Sequence, residues 1–140
     1  MRCRDVMWTS PVTLAPEESA QSAVRKITSA DVGALPVVDD DGRYLGMVTE
    51  RALVRQVMAE GLDPKLTRVG LIIDRRLPQV EPDDPVSVAL KRMDEGRTRW
   101  AAVVEGGRVV GLVGTRDIRQ RAREEDSSEL HALTDAALLH

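Results

Sequence analysis

Short apolar runs and amphipathic segments alternate along the chain, and the same order of elements occurs twice. Residues 12–14 (Val-Thr-Leu) read as a short strand stopped by Pro16. Glu17 and Glu18 then open a helix to about Ala30, with Ala20, Val24 and Ile27 on one face and an acidic first turn that complements the helix dipole. Residues 34–38 (Ala-Leu-Pro-Val-Val) are apolar throughout, as a strand buried on both faces requires. Asp39-Asp-Asp-Gly42 predicts a hairpin turn into an antiparallel strand over 44–48, and a helix over 50–60 follows, ended by Gly61 and Pro64. The same series recurs as a strand at 79–80, a helix over 84–95, strands at 101–104 and 109–113, and a helix from Thr115.

Laid above one another, the two stretches match residue by residue. Pro16 falls on Pro82, Ala23 on Ala89 and Val24 on Leu90, and Val37-Val-Asp39 falls on Val103-Val-Glu105. After a one-residue gap, Gly42-Arg43 matches Gly107-Arg108 and Gly46-Met-Val matches Gly111-Leu-Val. An ordered match of this length is a duplication. Neither copy, at roughly 60 residues, buries much core alone. The predicted fold is therefore α+β, two β-α-β-β-α motifs packed in pseudo-two-fold fashion through their sheets. Residues 66–74 correspond to the lead-in at 4–9, so each copy begins with a short arm. The expected division is a first motif with its arm over 1–65, a second over 66–123, and a tail over 124–140. That tail places Leu130, Leu133 and Ala137 at helical spacing.

Composition narrows the class. Across 140 residues, 42% are hydrophobic and 31% charged, as expected of a soluble globular chain. A net charge of −3 argues against nucleic acid as partner, and 2% aromatic residues leave few stacking platforms for single strands. The single cysteine, Cys3, fits a reducing compartment. The start, Met-Arg-Cys-Arg-Asp-Val-Met-Trp, has no apolar signal core, and no run approaches the ~20 apolar residues of a membrane span. A cytoplasmic chain, with neither nucleic acid nor membrane as partner, is the expectation.

The candidate chemistry sits where a strand breaks into a helix, at Gly46-Met-Val-Thr-Glu-Arg-Ala52 and Gly111-Leu-Val-Gly-Thr-Arg-Asp117. Such a turn presents unpaired N–H groups at the positive end of the helix dipole, which suits an anion. Asp117, one turn into its helix, can accept hydrogen bonds from a neutral diol such as a ribose, whereas its counterpart Ala52 cannot.

Ser10-Pro-Val-Thr, Gly33-Ala-Leu-Pro-Val-Val-Asp39 and Gly46-Met-Val-Thr-Glu-Arg51, with Val103-Val-Glu105 and Gly111 to Asp117, make the chain resemble tandem cystathionine-β-synthase-type (CBS) domains, the pair called a Bateman module. The resemblance covers about residues 4–121. It implies a regulatory sensor without chemistry of its own, binding AMP, ADP, ATP or S-adenosylmethionine in the cleft between the copies and often dimerising. Carried over by position, one site joins Val12, Val32, Gly33 and Ala34 to Gly114, Thr115 and Asp117. Gly114 departs from the family's hydroxyl residue there, and Thr115 is the expected substitute. A second, weaker site joins Leu77, Pro78, Thr98, Arg99 and Trp100 to Thr49, and Ala52 departs from the usual Asp. Arg99 would meet a phosphate and Trp100 a base.

Plainer roles stand beside these. An acid in a first turn is favourable for dipole reasons alone, Thr49 suits an N-cap, Arg99 and Arg116 suit solvent, and Trp100 suits packing. Neither His131 nor His140 belongs to a cluster with metal-ligand spacing, so no metal is expected. No nucleophile elbow, P-loop or dinucleotide fingerprint is present, so no enzyme and no required cofactor is expected. The competing class is a scaffold whose sites have lost their ligand. Leu53, Val54, Val57 and Met58 exceed what one sheet face covers, which predicts a homodimer formed through helices. A regulated partner protein is not identified by sequence.

Overall fold

The computed structural model describes residues 1–124; the amphipathic pattern of the tail, and both histidines, lie outside the described residues. In chain order the elements are α1 (Cys3–Val6), β1 (Trp8–Thr9), α2 (Ala20–Ala30), β2 (Ala34–Val38), β3 (Tyr44–Thr49), α3 (Glu50–Leu53), β4 (Gln79–Val80), α4 (Val86–Glu95), β5 (Trp100–Glu105), β6 (Arg108–Gly114) and α5 (Thr115–Glu124). The α+β class expected from the pattern is what the chain adopts. The described residues divide into two compact units, one of Pro11–Arg75 and one joining Met1–Ser10 to residues 76–124.

In the unit of Pro11–Arg75, β2 and β3 form the antiparallel hairpin that Asp39 to Gly42 predicts, running from Ala34 opposite Thr49 to Val38 opposite Tyr44. Asp39 shapes the turn, its carboxylate accepting from the Asp41 and Arg43 amides at 2.9 Å each. Helix α2 begins later than the acidic pair suggested. Ser19 is the N-cap, its side chain accepting from Ser22 N. Glu18 stays in the preceding turn, where its carboxylate accepts from Ala15 N at 2.7 Å and Ser22 Oγ at 2.8 Å and pairs with Lys26 Nζ at 2.7 Å. Burial pushes the Glu18 carboxyl up, but these partners outweigh it and hold the group below its ordinary value.

Two further expectations are corrected. The strand over 12–14 reduces to one parallel bridge, Leu14 to Val37, because the chain turns away at Pro16, which has no amide to continue a ladder. The helix over 50–60 is regular only through Leu53. A π-helical turn takes over from Val54 to Met58, leaving Val54 55% and Met58 77% exposed while Leu53 and Val57 are buried.

The other unit holds a four-stranded sheet in the order β1-β6-β5-β4, parallel between β4 and β5 and otherwise antiparallel. Strands β5 and β6 repeat the register of β2 and β3, from Trp100 opposite Gly114 to Glu105 opposite Arg108. The core joins Val86, Ala89, Leu90 and Met93 of α4 to Ala101, Val103, Val113 and Ile118, and includes Cys3. Cys3 is therefore structural, and burial, with Asp84 adding to it, raises its thiol from 9.0 to about 11.

Each arm belongs to the copy that does not follow it. Trp8 and Thr9 lie opposite Leu112 and Gly111 of the second copy, while Asp74, from the arm before that copy, bridges Met47 of the first. The linear division at residue 65 thus differs from the spatial one. Glycine makes room at both crossings: a Cβ on Gly111 would lie 2.5 Å from Met7 Sδ, and one on Gly46 would lie 2.8 Å from Ile73 Cγ1. Cys3 N–H to Asp84 O and Arg4 N–H to Pro82 O, both 2.9 Å, fasten the first arm in place.

Candidate functional site

The two strand-to-helix turns are built on one plan. The Glu50 amide donates to Gly33 O at 2.9 Å, and the Thr115 amide donates to Arg99 O at 3.1 Å. Each bond ties the first helical residue to the residue before the neighbouring strand. Gly33, Ala34 and Thr49 therefore come together in one unit, and Arg99, Trp100, Gly114 and Thr115 in the other.

Their side chains divide one motif. In the first copy Thr49 is the N-cap of α3 and its Oγ1 accepts from Ala52 N at 3.0 Å. In the second copy Asp117, at the third position of α5, reaches back and accepts from Gly114 N at 3.2 Å through Oδ2. A capping box has both bonds; here each copy keeps one. The same Asp117 oxygen accepts a second bond, from the indole N–H of Trp8 at 2.9 Å.

The opposed strand positions also differ in volume. Ala34 faces Thr49, whereas Trp100 faces Gly114. A Cβ on Gly114 would lie 2.8 Å from Trp100 Cζ3 and 3.1 Å from Asp117 Oδ2. The missing hydroxyl at 114 is thus matched by the large ring at 100.

The remaining expected residues fall in the same two units. Val32 and Ala34 are buried, Gly33 is half-buried, and Val12 is exposed at the edge of a cavity of about 330 Å³ lined also by Arg25, Lys26, Ser29 and Ala30. Leu77 is half-buried and Pro78 buried beside β5, where Pro78 O accepts from Ala102 N at 3.2 Å. Thr98 is buried and closes the turn before β5, its Oγ1 accepting from Trp100 N at 3.3 Å, while Arg99 is exposed. Thr115, the expected substitute hydroxyl, is 2% exposed, and Asp117 is half-buried. A cavity of about 150 Å³ opens beside Asp117, lined by Asp5, Val6, Gln120, Arg121 and Glu124.

Trp8 was not among the residues expected at the site. No local sequence signal marks it, and only the strand pairing shows that it occupies the place Asp74 takes in the other unit. Among the described residues, no group of three or more His, Cys, Asp or Glu side chains is placed to hold a metal ion. No helix among them is long and apolar enough to cross a membrane.

Comparison with known proteins places this geometry. The family model described as CBS domain matches twice, over residues 3–59 and 69–124. Hypoxic response protein 1 of Mycobacterium tuberculosis is 31% identical over 121 residues, which cover 86% of this chain and 85% of that protein. A crystal structure of Hypoxic Response Protein I with two coordinated zinc ions superposes with a TM-score of 0.79 at 30% identity, over 86% of this chain and 98% of the other. A CBS domain protein of unknown function from Thermoplasma acidophilum gives a TM-score of 0.84 at 25% identity, over 99% and 75%. At 22% identity the fold alone is shared with a CBS domain pair solved in complex with 5′-methylthioadenosine and S-adenosyl-L-methionine, with a TM-score of 0.80 over 89% and 98%.

Proposed function

The chain belongs to the CBS domain family as a tandem pair, and from that premise we propose that it is a regulatory module sensing an adenosine-type ligand (AMP, ADP, ATP or S-adenosylmethionine) through Asp117. The observation that carries this reading is the half-exposed carboxylate at the β6–α5 turn, set against alanine at the equivalent Ala52. The ribose diol donates to Asp117, and the start of α5 faces phosphate. Carried over from the family pattern alone, Val12, Val32, Gly33 and Ala34 are the residues proposed for apolar contact with a purine. The family pattern assigns Thr49, Leu77, Pro78, Thr98, Arg99 and Trp100 to a second, weaker site, for which alanine stands at position 52 in place of the acid. In this reading the chain is a cytoplasmic sensor, performs no catalysis and requires no cofactor.

The chain also forms a homodimer through its helices, the exposed Val54 and Met58 being the apolar surface that association would cover. A scaffold reading is favoured by one observation, that Asp117 Oδ2 already accepts two internal hydrogen bonds. A thermal-shift panel of adenosine compounds separates the two. A ligand bound only by the folded chain at a hundred times its Kd adds about 2.7 kcal/mol of stability. A panel that leaves the melting temperature unchanged selects the scaffold.

A further inference from the structure

The N-terminal arm makes one contact that the duplicated plan does not need. Trp8 Nε1 donates to Asp117 Oδ2 at 2.9 Å, and Gly114 N donates to the same oxygen at 3.2 Å. A carboxylate oxygen offers two lone-pair sites, so both sites of Oδ2 are taken. In the other unit the arm places Asp74, not an indole, opposite Met47, and the helix carries Ala52 in place of the acid. The pairing of arm and acid is thus confined to the turn that has kept its carboxylate. It is also lightly held. Trp8 is 45% exposed, and β1 is a two-residue strand at the edge of its sheet.

We propose that Trp8 is a displaceable occupant of the ribose acceptor, so that the docked arm and the ligand compete for Asp117; this rests on the reading that Asp117 receives a ribose diol. A diol that engages both carboxylate oxygens needs a site on Oδ2. The Gly114 amide is fixed by the start of α5 and stays, so the indole is the donor that leaves. The other end of the arm remains fastened, because Cys3 is fully buried and Arg4 Nε pairs with Asp83 at 2.7 Å. Ligand binding therefore frees the Trp8 end of the arm without releasing the whole segment. By reciprocity, anything that holds the indole on Asp117 weakens ligand binding by the same factor.

The test titrates the wild-type chain and Trp8→Phe with AMP, ATP and S-adenosylmethionine in turn, by calorimetry, while the Trp8 indole N–H resonance is followed by NMR. The variant lacks that resonance and so assigns it. The expected result is binding about fivefold or more tighter in Trp8→Phe, with the wild-type indole resonance moving toward its free position as ligand is added. Equal affinity with an unmoved resonance overturns the competition and leaves the adenosine reading standing. Weaker binding by the variant overturns it too, since Trp8 would then contribute to the ligand site. Binding by neither protein removes the adenosine reading, and the competition with it.

Discussion

The two copies keep opposite halves of one capping motif, and that difference shows that a duplicated turn can start its helix in two ways. In the first copy a hydroxyl caps forward, Thr49 to the Ala52 amide; in the second a carboxylate caps backward, Asp117 to the Gly114 amide. Either bond satisfies one of the orphan donors at a helix start. Helix formation therefore does not require both. What differs is the chemistry left at the surface: an acid beside α5, and only a methyl beside α3. The strand positions behind the turns changed in concert. Alanine opposite threonine and tryptophan opposite glycine are two ways to fill one cross-strand space.

The largest effect on this comparison is expected from Asp117→Ala. Charge-assisted bonds contribute roughly 1.5–3 kcal/mol, so adenosine-ligand affinity should fall about ten- to a hundredfold in calorimetry. Next comes Gly114→Thr, which gives the second turn the side chain of the first. The new Cβ meets the Trp100 ring, and overpacking should cost roughly 1–3 kcal/mol in urea unfolding. Adding Trp100→Ala should recover part of that loss; strictly additive effects would break the account of matched volumes.

The arms supply a third contrast, because only one of them buries a thiol. Cys3 carries a folded-state value raised from 9.0 to about 11. Its contribution to stability is complete below 9.0 and is lost as the pH rises toward about 11, since the unfolded chain ionises first. Cys3→Ala should flatten that alkaline limb of the unfolding profile, and an unchanged limb would contradict the assignment. Thr49→Ala removes the forward cap and should cost about 1 kcal/mol. The smallest effect belongs to Ala52→Asp, which completes the box in the first copy and should add about 0.3–1 kcal/mol through the helix dipole.

Local pattern carried much of this. The apolar run at 34–38 and the turn at Asp39 to Gly42 announced a hairpin, and the internal match announced a second one of the same register. The contrast between Asp117 and Ala52 was visible by alignment alone. The arms were not legible, because a two-residue strand has no period and its partner edge is chosen by distant packing. Trp8 meets Asp117 across 109 positions, a contact no local rule signals. The start of α2 was misplaced for a different reason. Glu17 and Glu18 look like a first helical turn, but the Ser19 hydroxyl sets the cap and Glu18 serves the turn before it.

The central claim is the proposal that the Asp117 turn dominates ligand binding and that its twin, which lacks the acid, binds more weakly. Calorimetric titration of the full chain with the adenosine compound giving the largest thermal shift tests it most directly. The account predicts one dominant ligand per chain in the wild type and an affinity lowered about ten- to a hundredfold in Asp117→Ala. Two equal sites per chain, or affinity unchanged by Asp117→Ala, would contradict it.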